Sequence, residues 1–236
     1  MKRFSYFLTF LVLAIWAAVT DLPAQKAPEP AQGGEIYHVN ISKAAPGKAA
    51  QLADSLKKQD PSAPMPGHFL VLRHLDGDSW DYVTIEHLGP KATVDANLAP
   101  PAPAVRDLRA WHTDTFVIGP PWKDFAAAMG IGVSNTSGSI YVVGLHRSLV
   151  GHRDQLEALL RQRPEPGNHR AGAVVMTHLE GANWNFLTLE RYNSWQDVAA
   201  NESNDRVQLL KGQGGWFEMR EHSDYHTDTF TDRIAP

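Results

Sequence analysis

The 236-residue chain predicts an α+β fold of two consecutive βαββαβ units, each of ferredoxin-like order. Three observations carry that expectation. The stretch WHTDTF at 111–116 returns as YHTDTF at 225–230. Sliding the chain against itself by 104 positions aligns 36–90 with 140–194 without a gap, at fourteen identities where composition alone gives on the order of 3. Each aligned stretch then reads as the same series of elements, so the repeat is one of structure as well as of letters.

Each unit opens on an alternating, β-branched segment, IYHVNI or IYVVGL, followed by a helix-period segment, PGKAAQLADSLKKQ or VGHRDQLEALLRQR. A Pro/Gly-rich loop follows, then two apolar runs separated by Asp76-Gly77-Asp78 or Glu180-Gly181-Ala182, the spacing of a hairpin. In the second unit 194–212 predicts a helix with Ser194 as N-cap. Its counterpart in the first unit is broken by Pro100, Pro101 and Pro103. HTDTF closes each unit as a strand, and the second copy lies at an offset of 114, so ten extra residues precede it. A helices-on-one-face sheet leaves its other face open, and two such units cover each other sheet to sheet. The expected boundaries are 35–119 and 139–232, with 120–138 a linker carrying a short helix.

The N-terminus follows another logic. Lys2 and Arg3 precede an apolar run from Phe4 to Val19, and TDLPAQ follows, the order of parts in a secretory signal peptide ending near Ala24. An uncleaved anchor is the alternative reading of the run. Residues 25–34 read as a disordered linker, and the expected destination is the periplasm or the exterior, with no membrane contact after cleavage. There is no cysteine, which removes disulfides, thiol nucleophiles and thiolate metal sites. A net charge of −4 with no basic block beyond the N-terminus gives no footprint for nucleic acid. Neither a nucleotide-binding glycine motif, a nucleophile elbow nor a metalloprotease helix is present. The expected partner is a small molecule, and the sequence sets no oligomeric state.

The βαββαβ order, the glycine soon after each first strand (Gly47, Gly151) and the RYNSWQDVAA entry to the late helix resemble the dimeric α/β-barrel superfamily, which includes antibiotic-biosynthesis-monooxygenase-like and NIPSNAP-like proteins. The resemblance covers 35–119 and 139–232 and implies a fused dimer in one chain, with a pocket between the sheets. It transfers no catalytic residue.

Alternation along strands sorts the candidate residues by face. Val83 and Ile85, like Leu187 and Leu189, are expected under the helices, which would turn Trp80, Tyr82, Thr84 and Glu86, with Trp184, Phe186, Thr188 and Glu190, toward the partner sheet. His112 and Asp114 share one face, as do His226 and Asp228; the threonines of HTDTF point the other way. These H-x-D pairs read as a satisfied structural pair, as the polar centre of a pocket, or as part of a metal site. Glu86 and Glu190 are candidate pocket carboxylates, since a covered carboxylate needs a partner. Trp80, Tyr82, Trp184 and Phe186 are candidate pocket walls, and His74 and His178 flank the hairpins. His38, Asn40 and Arg73 are candidate ligand contacts because their counterparts are Val142, Gly144 and Thr177, an asymmetry that assigns the polar work to the first unit.

The functional expectation is an exported small-molecule-binding protein, a cofactor-free or haem-linked oxygenase, isomerase or lyase. The alternatives are a non-catalytic binding or assembly module and a mononuclear His/carboxylate metal protein of vicinal-oxygen-chelate type, suggested by His38 in the first strand. No complete set of metal ligands is identified.

Overall fold

A computed structural model describes residues 34–59, 63–90, 103–133, 136–162 and 167–236. The expected signal peptide, and all but the last residue of the expected linker at 25–34, lie outside them. Among the described residues no helix is long and apolar enough to cross a membrane.

Eight strands form the frame: β1 (Glu35–Ala44), β2 (Phe69–Asp76), β3 (Tyr82–Gly89), β4 (Arg109–Gly119), β5 (Ile140–Ser148), β6 (Gly172–Glu180), β7 (Phe186–Tyr192) and β8 (Ser223–Ala235). The helices are α1 (Ala49–Leu56), α2 (Pro103–Arg106), α3 (Trp122–Met129), α4 (Arg153–Leu160), α5 (Trp195–Leu210) and α6 (Gly215–His222). The α+β class and the ferredoxin-like strand order are as expected. Ser194 caps α5, its hydroxyl accepting from the Asp197 backbone N–H at 3.2 Å, and the eight-residue α6 lies between α5 and β8, in the stretch where the second half is longer.

All strand pairs are antiparallel, and the ring order β1-β3-β2-β8-β5-β7-β6-β4 is a closed barrel. Each half contributes four strands paired alike, with β1 between β3 and β4 and β5 between β7 and β8. The halves join edge to edge at two seams, β2 with β8 and β4 with β6. Closure leaves no sheet edge unpaired.

The interior of an eight-stranded barrel is just wide enough for side chains. Here Tyr37, Val39, Ile41, Leu70, Leu72, Val83, Ile85, Val117, Tyr141, Val143, Met176, Leu187 and Leu189 form one buried cluster drawn from both halves. The linker helix α3 plugs one end: Phe125 and Met129 join that cluster, and Tyr141 donates to the Met129 carbonyl at 2.9 Å. Trp122 stacks on His68 at 4.5 Å, and its backbone N–H donates to Glu35 Oε2 at 2.7 Å.

This overturns the expected faces. Val83 and Ile85 point into the barrel, whereas Tyr82 packs with Leu52, Ala53 and Leu56 of α1 and donates to the Ala49 carbonyl at 2.8 Å. Phe186 likewise lies outside, with the Arg153 guanidinium of α4 5.3 Å over its ring. The alternation within the strands was read correctly, but the closed barrel turns the purely apolar set of β3 and β7 inward and the mixed set of those strands outward; Trp80 and Trp184, which precede the strands, lie in the interior cluster as expected.

The repeated HTDTF acquires a role in the seams. Gly77 in the first hairpin, at φ 125°, sits so close to β8 that a Cβ would lie 2.7 Å from the Asp228 carbonyl, and the Asp78 N–H donates to Thr229 Oγ1 at 3.3 Å. Gly181, at φ 119°, approaches the Asp114 carbonyl in the same way, and the Ala182 N–H donates to Thr115 Oγ1 at 3.3 Å. Each hairpin therefore docks on the HTDTF strand of the other half. The inward threonines hold that contact, which leaves the outward His and Asp free for something else.

Candidate functional site

The outward side chains of β1, β3 and β4 meet because the registers place them side by side. His38 pairs with Glu86 on β3 and with Phe116 on β4, and Asn40 pairs with Thr84 and with Asp114. His38 is held at both ring nitrogens: Nδ1 lies 3.2 Å from Glu86 Oε2 and Nε2 lies 2.9 Å from Asp114 Oδ1. Asn40 Nδ2 donates to the same Asp114 oxygen at 2.7 Å, and His112 Nε2 lies 3.2 Å from the other. The Phe116 ring lies 5.4 Å from that of His38 and walls one side.

Electrostatics set the protonation of this group. Burial alone would lower the His38 pKa, but the hydrogen bonds and charges of Asp114 and Glu86 outweigh it and raise the pKa to about 9. The hydrogen bond from His38, aided by Asn40 and opposed by burial, lowers the Asp114 pKa to about 2. At neutral pH the centre is thus an imidazolium clamped between two carboxylates. The His38 side chain is 23% exposed, Glu86 34% and Asp114 46%, so the carboxylates are the more accessible members. His38 balances and positions charge; with both nitrogens engaged it has none to offer a ligand. A haem iron needs a free imidazole nitrogen, so His38 does not fit that group.

The equivalent ground in the second half is built differently. Val142 and Gly144 replace His38 and Asn40, and an imidazole enters from His146, opposite Ser42 in the repeat. His146 is buried, its Nε2 lies 2.9 Å from Thr188 Oγ1, and its ring stacks parallel to His226 at 6.1 Å. Burial, reinforced by His226, lowers the His146 pKa to about 4, so it is neutral. Asp228 lies 3.7 Å from His226; burial pushes its pKa up, the His226 charge pulls it down and Glu190 pushes it up again. Half of the Asp228 side chain remains open to solvent, which limits the rise. Glu190 is committed elsewhere, to Arg170 and to the Tyr192 hydroxyl at 2.8 Å.

The structure therefore gathers His38, Asn40, Glu86, His112 and Asp114 into one centre, leaves His226 and Asp228 in another, and ties Glu190 to Arg170 and Tyr192. Arg73 belongs to neither; it pairs with Asp232 across the β2–β8 seam, Nε to Oδ1 at 3.0 Å. His74 meets the Trp80 ring edge-on at 5.8 Å, and His178 meets Trp184 at 5.4 Å, both pairs beside the hairpins. Both tryptophans belong to the interior cluster. The space between the sheets, where a pocket was expected, is filled by the apolar cluster. A cleft of about 460 Å³ lies instead at the β4–β6 seam, lined in part by Gly119, Asp124, Glu157 and Arg161, away from the His38 centre. Among the described residues no group of three or more His, Cys, Asp or Glu side chains is gathered to hold a metal ion.

Sequence reasoning missed Arg109 and His146. Arg109 sits opposite Ala44 beyond a bulge that breaks the β4 alternation, which returns it to the outward face. The repeat alignment, which pairs His146 with Ser42, would have found His146.

No protein-family profile matches the chain, and no curated protein does. Solved structures do. A "putative monooxygenase" from Lactobacillus acidophilus NCFM superposes with a TM-score of 0.50 at 11% identity, over 85% of this chain and 94% of the other. An "anthrone oxidase-like protein" superposes with a TM-score of 0.56 at 14% identity, over 85% and 92%. The chain shares its α+β-barrel fold with these two structures. At these identities the likeness speaks for the fold.

Proposed function

We propose that this protein is an exported, cofactor-free oxygenase or oxidase acting on an enolisable or phenolic small molecule at the outward face of β1, β3 and β4. The observation that carries the reading is the His38 clamp between Glu86 and Asp114. His38 occupies one oxygen of Glu86 and leaves the other for a substrate proton, while the imidazolium offsets the charge that a substrate anion would meet. Asp114, fixed by His38, Asn40 and His112, is a positioning residue. The names of the two solved structures support oxygen chemistry.

The reaction balances with molecular oxygen alone. Glu86 accepts a proton from an activated CH₂ or from the hydroxyl conjugated to it, the resulting carbanion reduces O₂, and CH₂ plus O₂ becomes C=O plus water. The substrate supplies all four electrons, so no external reductant is needed.

The test is oxygen uptake by the purified protein with a panel of hydroxyaromatic and cyclic-ketone compounds, followed by the same measurement on Glu86→Gln. The reading predicts compound-dependent uptake that falls roughly 100-fold or more in the variant, a loss typical of a general base. Uptake that is absent with every compound, or equal in both proteins, would sink it. Export is tested by the mass of the mature N-terminus, which should begin near Gln25. A second reading, a non-catalytic clamp that ties β1, β3 and β4 together, draws on the double engagement of His38; it predicts that Glu86→Gln lowers stability with no effect on any turnover.

A further inference from the structure

A strip of polar atoms beside the His38 clamp has hydrogen-bonding capacity that the described residues leave unused. Ser42 Oγ, Asn40 Oδ1, Thr84 Oγ1 and Arg109 Nε are buried and have no hydrogen-bond partner among the described residues. All four belong to side chains on the outward face of β1, β3 and β4, since Asn40 pairs with Thr84, Ser42 is two residues on, and Arg109 lies opposite Ala44. Buried polar groups in folded proteins are satisfied with few exceptions, and a half-buried guanidinium without an acceptor is among the costlier ones. Burial lowers the Arg109 pKa against the pull of Asp114 and Glu86, yet neither carboxylate lies within ion-pair distance of it.

The second half serves as an internal comparison, because it meets more of the needs of the same strip, although His146 Nδ1 is buried there with no partner among the described residues. Ser223 stands where Arg109 does and donates to the Arg147 carbonyl at 2.9 Å. His146 stands for Ser42 and bonds Thr188, which stands for Thr84, at 2.9 Å. Gly144 stands for Asn40 and has no side chain to satisfy. One half leaves a single ring nitrogen of its strip without a partner among the described residues, and the other leaves Arg109 Nε, an amide oxygen and two hydroxyls.

We infer that Arg109 is the cationic anchor of the ligand site in the first half, taking a carboxylate at its guanidinium while Asn40, Ser42 and Thr84 meet polar groups farther along the same molecule. The ligand class is a hydroxylated aromatic carboxylate. Along β1 from Ala44, opposite Arg109, Ser42 lies two residues or roughly 7 Å away and Asn40, with Thr84 beside it, four residues or roughly 14 Å, so the ligand is an elongated molecule lying along the strands, reached from one end by the long Arg109 side chain. This inference rests on the proposed function for the location of the site, but it concerns binding and stands apart from turnover.

The experiment is calorimetric titration of the full chain with 4-hydroxycinnamate and with its uncharged methyl ester, repeated on Arg109→Met and Arg109→Lys. The acid is expected to bind at least 10-fold more tightly than the ester, and that preference should vanish in Arg109→Met and survive in part in Arg109→Lys. Thermal unfolding of each variant shows that it is folded, and Arg109→Lys keeps the test alive if the methionine variant is not. Equal binding of acid and ester, absence of binding by either, or a preference that persists in Arg109→Met would overturn the anchor. Oxygen uptake reads the proposed reaction separately: preferential binding without uptake would leave the anchor standing and remove the oxygenase, and uptake without charge preference would do the reverse.

Discussion

The two halves share a strand plan and the HTDTF signature, yet they protonate their outward centres in opposite ways. In the first half His38 is an imidazolium between carboxylates. In the second, His146 is a buried neutral imidazole resting on Thr188, and the room for it exists because residue 144 is glycine. A repeated sequence thus preserves what the barrel needs, the inward threonines and the hairpin glycines that dock the halves, and leaves the outward face free to diverge. An imidazole on the outward face of the first strand of each half is a charged clamp in one and a neutral lock in the other, depending on its position along the strand and on its neighbours.

Making the second half resemble the first should have the largest effect. A Cβ at Gly144 would sit 2.7 Å from His146 Nε2, closer still to Thr188 Oγ1, and 3.1 Å from Asp228 Oδ1. Gly144→Asn is therefore expected to destabilise by about 1–3 kcal/mol, the usual cost of overpacking. Adding His146→Ser, which restores the pairing of Asn40 with Ser42, should recover a good part of the loss in denaturant unfolding. If the double variant is no more stable than the single one, the two positions are not exchanging space as described.

Removing the aspartates separately sharpens the contrast. Asp114→Asn takes an ion-pair partner from His38 and should cost roughly 1 kcal/mol, discounted for the exposure of the carboxylate. Asp228→Asn should stay within about 0.5 kcal/mol, because its ionised form gains little from its surroundings. Equal losses would mean that the halves are alike after all.

The pH dependence differs in sign. His38 has a folded pKa above its unfolded value of 6.5, so its stabilisation is complete below that value and is lost as pH rises through about 9. His146 has a folded pKa below 6.5, so its contribution is present above 6.5 and is lost as pH falls through about 4. Replacing His38 with alanine should flatten the stability curve on the alkaline side only, and replacing His146 with glutamine on the acid side only. Arg73→Ala, at the exposed β2–β8 seam, should change stability by only about 0.2–1 kcal/mol.

Much of this was legible in the sequence, and the parts that were not have physical reasons. The element order, the hairpins, the Ser194 cap and the sets of residues sharing a face follow from local periodicity and turn chemistry. Which face is inside does not, because Val83 and Tyr82 are both large and apolar enough to be buried, and only closure of the barrel assigns one to the interior and the other to α1. The gathering of His38, Glu86 and Asp114 depends on register between strands 48 and 76 residues apart. The divergence at His38 and Asn40 was visible as a difference between repeats, but its replacement by His146 was hidden two residues further along the strand. Arg109 escaped because a bulge changed its face.

The account turns on the charge of two imidazoles, and NMR titration of the histidine side chains reads both at once. His38 should titrate near pH 9 and His146 should remain neutral down to about pH 4. Two midpoints close to the ordinary value of about 6.5 would contradict the clamp, the neutral lock and the distinction between the halves.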